Sequence, residues 1–233
     1  MDIRNVIDQA DLLREMPEEA RVALAGQAML RRYRGREYLW RVGDPQDRLQ
    51  VVAEGMVHIG IMGPDAEEIV LHVVACGECM GEPSIYSPEG DRRTDGRAVG
   101  PTIIVDVPGE KVRAVLEACP EAMRLFVRRV SAIARAHADR MAVSAFHDAR
   151  GRLARLLLDL ADSHGVPTAR GRRIELPLSQ RALAGLIGVR RESVNRLIAA
   201  LERAGALAFE DGTVTVLRPQ ILQAALGVEA VLS

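Results

Sequence analysis

The sequence predicts an α+β protein in which a strand-rich N-terminal region, one long helix and a C-terminal helix-turn-helix closed by a hairpin follow one another. Three patterns predict it. Short apolar runs between turn signals fill Leu30 to about Val107, apolar residues recur at spacings of three and four from Met123 to Ala145, and two short amphipathic helices meet at Gly188.

Taken in order, Pro17 followed by Glu18 and Glu19 opens a short amphipathic helix with apolar positions at Val22, Leu24 and Met29. Proline is tolerated in a first helical turn, and carboxylates favour the positive helix end. Strands are expected at Tyr38-Leu39-Trp40, Leu49-Gln50-Val51-Val52, Met56-Val57-His58-Ile59 and Ile69 to Val74. The turns between them are Arg34-Gly35, Gly43-Asp44-Pro45, Glu54-Gly55, Gly63-Pro64-Asp65 and Cys76-Gly77. Their near-regular spacing implies a sandwich or barrel. After Pro108-Gly109 a short helix runs to about Ala118. Pro120 then opens a helix carrying Met123, Val127, Val130, Ala134, His137, Met141 and Ala145 along one seam. At 1.5 Å per residue it would be ~39 Å long, more than a small domain needs to close its core, so the seam is expected to join two copies of the chain. Phe146-His147-Asp148 breaks the seam, and Ala149 to Ser163 forms a second helix stopped by His164-Gly165. Arg170 to Arg173 is a basic turn leading into a strand.

Charge is distributed unevenly. Before His147 there are 19 Lys+Arg against 23 Asp+Glu, and from His147 onward 12 against 9, so the C-terminal part is the better partner for a polyanion. Of 31 cationic side chains only Lys111 is a lysine, and guanidinium forks can pair bidentately with phosphate or guanine. The longest strongly apolar run, about Ile69 to Cys76, is far below the ~20 residues of a bilayer helix. Met1 to Asn5 lacks a signal peptide's apolar stretch. The expectation is a soluble cytoplasmic protein with no membrane segment. Three cysteines give no disulfide framework. Cys76 and Cys79 have the spacing of a redox or metal pair, with His72 nearby, but a tetrahedral site needs further ligands, and no metal ligand is assigned. No nucleophile–base set, paired carboxylates or phosphate-binding Gly loop emerges, so no catalytic residue is assigned and a non-enzyme is expected.

Ser179 can cap a helix with buried positions Leu183, Ala184, Leu186 and Ile187. Gly188 tolerates the positive φ of a tight turn, and a second helix then runs from Arg190 to Arg203. Its buried face is Val194, Leu197, Ile198 and Leu201, leaving Arg191, Glu192, Asn195 and Arg196 outward. Ala206 to Phe209, the turn Glu210-Asp211-Gly212 and Thr213 to Leu217 read as a hairpin, which makes the unit winged. In a major groove Arg191 and Arg196 can each offer a fork to guanine O6 and N7, and Glu192 can accept from cytosine N4.

The segment from Leu178 to Arg196, with its Arg-Glu-x-x-x-Arg core at 191, 192 and 196, resembles the DNA-binding motif of the cyclic-AMP receptor protein (CRP/FNR) superfamily of bacterial transcription regulators. The resemblance extends over the Pro120 helix, the Phe146-His147-Asp148 hinge, the Gly43-Asp44 turn and the β-region. It implies a cyclic-nucleotide-binding-type β-roll with the N-terminal helix over 1–118, a dimerisation helix and hinge over 119–146, and a winged helix-turn-helix domain over 147–233. It also implies a homodimer on double-stranded DNA, reading a palindromic TGTGA-like operator through Arg191, Glu192 and Arg196 with Ser179, Gln180, Arg190 and Asn195 alongside, and RNA polymerase as a further partner.

Gly81-Glu82-Pro83-Ser84-Ile85-Tyr86 and Arg93-Thr94 resemble the family's phosphate-binding cassette. Glu82 can accept a ribose hydroxyl, Arg93 can neutralise a cyclic phosphate, and Thr94 can add a hydrogen bond. Arg92 precedes Arg93, so the register is ambiguous by one, and the loop Ser87-Pro88-Glu89-Gly90-Asp91 carries two carboxylates. Where cyclic-AMP-binding relatives hold adenine with hydroxyl and amide groups, this chain has His137 and Ala138. No cofactor is required, and cyclic AMP is the first effector to consider. Two alternatives stay open: a regulator of the same family that needs no ligand, and a cyclic-nucleotide-binding module acting on a protein partner. The family's iron–sulfur members carry a cysteine cluster near the N-terminus, and here no cysteine precedes Cys76.

Overall fold

A computed structural model describes residues 1–45, 47–62, 68–87, 91–176, 178–210 and 212–226. The turn Gly63-Pro64-Asp65, Pro88-Glu89-Gly90 of the cassette loop and Asp211 of the hairpin turn lie outside the described residues. The chain forms two compact units, the first reaching His137 apart from Glu68 and Ile69, which are grouped with the second, and the second otherwise beginning at Ala138, so the division falls inside the long helix.

In the first unit, helix α1 (Ile3–Gln9) precedes the expected one and is capped by Asp2, whose carboxylate accepts from the Arg4 N–H at 3.0 Å. Helix α2 (Glu18–Ala25) follows Pro17 and ends at Gly26. Met29, expected on that helix, instead opens strand β1 (Met29–Tyr33), where it pairs with Asp106. Val22 is half exposed. The roll continues with β2 (Tyr38–Trp40), β3 (Arg48–Glu54), β4 (Met56–Met62), β5 (Glu68–Ala75), β6 (Cys79–Met80), β7 (Asp95–Ala98) and β8 (Thr102–Pro108). They build two sheets, ordered β1-β8-β3-β6 and β2-β7-β4-β5.

Successive residues of a strand face opposite sides, and β3 shows what that does here. Val52 joins Ile104, Met80, Trp40, Val57 and Val74 in a core drawn from both sheets. Leu49 and Val51 join Val105 and Val107 in a second core shared with α1, α2, α3 (Gly109–Ala118) and the start of α4 (Pro120–Phe146).

The second unit holds α5 (Ala149–His164), β9 (Gly165–Thr168), β10 (Gly171–Ile174), α6 (Gln180–Ile187), α7 (Arg191–Arg203), β11 (Leu207–Glu210), β12 (Thr213–Val216) and α8 (Pro219–Ala225). The basic stretch is part of a hairpin, with Arg172 and Arg173 paired to Pro167 and Val166, and the sheet order is β11-β12-β10-β9. Leu153 and Leu157 of α5, Leu183 and Ile187 of α6, and Val194, Ile198 and Leu201 of α7 are all buried. Their 3.6-residue periodicity decides which face of each helix is left to solvent.

Candidate functional site

Ser179 caps α6, its hydroxyl accepting from the Ala182 N–H at 3.1 Å. Such a cap stabilises a helix by about 1 kcal/mol. Gly188 sits at φ 64°, the left-handed conformation that turns the chain toward α7. With Val194 and Leu201 fully buried, Arg191, Glu192, Asn195 and Arg196 are exposed. At 100° per residue these four span an arc of ~140° on one side of α7. Arg190 is exposed just ahead of the helix, Gln180 is partly buried at the start of α6, and Leu186 and Leu197 are only partly buried. Arg196 reaches Ser193 Oγ at 3.4 Å, which leaves most of its fork available. Glu202, nearly two turns further on, accepts from the Phe209 N–H at 2.9 Å and ties α7 to the wing strand β11.

Inside the roll, Gly81 adopts φ 94°, and a Cβ there would run into the Arg48 carbonyl, so glycine is required at the bend into Glu82. Glu82 is 3% exposed. Its Oε1 accepts from Arg129 Nε of α4 at 2.9 Å, and Arg129 Nη2 lies 2.8 Å from Asp11 Oδ2. Burial pushes the Glu82 carboxyl up from its usual range, and the Arg129 charge opposes that rise.

Of the two adjacent arginines, Arg92 turns inward. Its guanidinium stacks 4.2 Å from the Trp40 ring centroid, with Nη2 3.4 Å from Gln50 Oε1. One Nη also lies 3.7 Å from where a Cβ on Gly81 would stand. Burial lowers its pKa to about 10, leaving it charged at neutral pH. Arg93 instead lies at the surface, 69% exposed and 3.7 Å from Asp91, while Thr94 is partly buried beside it. His137 and Ala138 are exposed on α4. Gly81, Glu82 and Arg92 are thus brought together, and Arg93 is not part of that cluster.

Three donors in the roll, Arg92 Nε, Trp40 Nε1 and Ser84 Oγ, are buried without a hydrogen-bond partner among the described residues. Buried donors left unpaired are costly, and an anionic oxygen would satisfy them. Arg92 and Trp40, which are stacked on one another, each leave a buried donor open, and the Arg92 cation fits the phosphoryl part of a nucleotide. The pair at Cys76 and Cys79 divides differently: Cys76 is exposed, whereas burial beside Asp11 and Glu82 pushes the Cys79 thiol well up. Among the described residues no group of three or more His, Cys, Asp or Glu side chains is placed to hold a metal ion.

For Arg92 the sequence leaves a one-residue ambiguity with Arg93, and for Arg129 it carries no signal. Arg129 occupies a polar place between the seam residues Val127 and Val130, and only the fold shows that it points at a carboxylate 47 residues away.

These two sites define a transcription regulator with a nucleotide-binding sensor fold and a DNA-reading fold. Residues 30–119 match the cyclic nucleotide-binding domain family, and residues 151–225 match the Crp-like helix-turn-helix domain family. The chain belongs to the CRP/FNR superfamily of transcription regulators. It is 29% identical over 174 residues, 75% of this chain and 77% of the relative, to the CRP-like cAMP-activated global transcriptional regulator of Mycobacterium tuberculosis. It is equally 29% identical over 181 residues, 77% of this chain and 81% of the relative, to the global nitrogen regulator of a Nostoc species. The fold matches that of the c-di-GMP responsive global regulator CLP of Xanthomonas campestris with a TM-score of 0.72 at 24% identity, over 86% of this chain and 99% of that one. No helix among the described residues is long and apolar enough to cross a membrane.

Proposed function

We propose that two copies of this chain pair along α4 and read a palindromic TGTGA-like operator in double-stranded DNA, under the control of a cyclic nucleotide held in the roll. One observation carries the DNA reading: Arg191, Glu192, Asn195 and Arg196 share the exposed arc of a helix whose opposite face is buried. Two forks and one acceptor on one arc suit a run of guanine and cytosine edges in the major groove.

Pairing is supported by α4 itself. Of the seam residues Val127 is 55% exposed and Met141 74%. Leaving such side chains in water forgoes roughly 1.5–3 kcal/mol each relative to full burial. A two-fold dimer would offer two recognition helices to half-sites one turn apart, ~34 Å.

The effector reading rests on the buried Arg92 guanidinium, whose Nε lacks a hydrogen-bond partner and which is stacked on the Trp40 ring, an inward-turned cation that suits a cyclic phosphate. Cyclic AMP is the first ligand to test, because the Mycobacterium relative is described as cAMP-activated. A specific observation favours a second reading, a regulator that needs no ligand: the Glu82 carboxylate that would take a ribose hydroxyl is already engaged by Arg129. RNA polymerase is the expected protein partner and the cytoplasm the expected location under either reading.

An electrophoretic shift with a TGTGA-type palindrome, run with and without cyclic AMP and cyclic GMP, tests the proposal. Tighter binding with one nucleotide supports effector control. Equal binding under all conditions replaces it with the ligand-free reading. No shift with the palindrome under any condition overturns the operator reading.

A further inference from the structure

The second unit contains a contact that neither base reading nor effector binding uses. Arg152 lies in the first turn of α5, partly buried. Its Nη1 donates to the His147 carbonyl at 3.0 Å, and its Nε donates to the Ile187 carbonyl at 2.9 Å. His147 is the first residue after α4, and Ile187 is the last residue of α6. One guanidinium therefore joins the chain where it leaves the long helix to the end of the first helix of the DNA-reading pair. Gly188 follows at once and swings the chain into α7.

We propose that Arg152 is a positioning residue that fixes how the recognition helix is aimed from the end of α4; this rests on the dimer-and-operator reading above. The chemistry suits the task. The carbonyls of a last helical turn lack intrahelical partners, and a cation there also meets the negative end of the helix dipole. A planar guanidinium holds two acceptors at a fixed angle, which the compact ammonium of a lysine does not.

The far side of the same joint is equally tight. A Cβ on Gly151 would stand 3.0 Å from His147 Cβ and 3.3 Å from its Cγ and Nδ1, so His147 is seated against the bare backbone of α5. Asp148 caps that helix by accepting from the Gly151 N–H at 2.8 Å. Three consecutive contacts thus hold the segment after α4 in one pose, and Arg152 extends that pose to α6. None of the base-facing side chains touches it in any recorded contact, so its removal leaves the Arg191, Glu192 and Arg196 arc in place.

The readout is half-site spacing. A shift of one base pair moves a half-site by ~3.4 Å and rotates it by ~35° about the duplex. A dimer with a fixed aim rejects that shift, and a dimer with a loosened aim accepts it. The experiment compares the full-length chain with Arg152→Met, Arg152→Lys and Gly151→Ala on palindromes of optimal spacing, on palindromes altered by one base pair in either direction, and on a single half-site. Melting temperature is recorded alongside.

For the wild type we expect about a tenfold loss of affinity, ~1.4 kcal/mol, on changing the spacing by one base pair. For Arg152→Met the three spacings should differ by less than about threefold, with single half-site binding unchanged. Arg152→Lys should fall between the two, and Gly151→Ala should flatten or displace the optimum. A role confined to stability would lower the melting temperature and weaken every operator alike, and that result overturns the proposal. So does an Arg152→Met protein with the wild-type spacing profile. If Arg152→Met does not fold, unchanged profiles in Arg152→Lys and Gly151→Ala overturn it equally. Failure of the wild type to bind any palindrome would instead strike the operator reading itself.

Discussion

Replacing Arg129 with methionine removes the cationic partner of a carboxylate that is 3% exposed. Arg129 is the cation within ion-pairing distance of Glu82 among the described residues, at 2.9 Å, and it also holds Asp11 at 2.8 Å. Asp11 keeps other partners, the N–H groups of Leu12 and Cys79 at 2.8 and 2.9 Å. Glu82 keeps its own backbone N–H but is far more deeply buried than Asp11, so the loss falls mainly on Glu82. Breaking a buried pair from one side costs about 3–5 kcal/mol, a large share of the 5–15 kcal/mol typical of a folded domain. Protonation limits that cost. Burial already pushes the Glu82 carboxyl up, and without Arg129 only the hydrogen bond from its own backbone N–H opposes the rise. A carboxyl whose folded pKa exceeds its unfolded value of ~4.3 binds more protons when folded. The variant should therefore be nearly as stable as the wild type near pH 4 and lose stability as pH rises through the folded pKa. Trp40 is the chain's one tryptophan and lies in the roll core, so its fluorescence during urea unfolding reports on this unit. Arg129→Met with Glu82→Gln should recover most of the loss at pH 7, because a neutral amide replaces the stranded charge. A loss below about 1 kcal/mol in the single variant, or no recovery in the double variant, would refute the reasoning.

His58 predicts the opposite pH dependence. It is 7% exposed beside Arg97, and burial lowers its pKa to about 4. The unfolded chain, with a His pKa of ~6.5, binds the proton first as pH falls, so up to about 3 kcal/mol is lost between pH 6.5 and 4. Urea midpoints across that range should flatten in His58→Phe, and an unchanged slope would assign the effect elsewhere. Gly96→Ala places a methyl 2.5 Å from the Trp40 ring. It should cost about 1–3 kcal/mol and move the Trp40 emission as the ring is driven from beneath Arg92; an unshifted spectrum at full stability would contradict the packing described. Arg191→Ala and Arg196→Ala should each weaken operator binding by about 1–3 kcal/mol and relax preference at one base position. Competition with base-substituted operators reads this, and uniform weakening across sequences would mean a phosphate contact instead.

What the sequence revealed, and what it hid, follows from the range of the interactions involved. The Ser179 cap, the Gly188 turn and the buried face of α7 depend on residues within one or two helical turns, and the structure has each of them. The β-region was legible as strands because turn residues are local, but the order β1-β8-β3-β6 joins residues more than 70 positions apart, such as Met29 and Asp106, and no alternation encodes that. Helix α1 carries no periodic signal because Ile7 is its one fully buried side chain, too few for a period. The choice between Arg92 and Arg93 was undetermined for a related reason. In a regular strand alternation would assign one to each face, but both precede β7 on an irregular segment. What selects Arg92 is the flat indole of Trp40, itself seated where Gly96 leaves room for it, and these lie on two other strands. The arginine turned into the roll is thus chosen by an aromatic ring some 50 residues away, which no pattern local to Arg92 and Arg93 encodes.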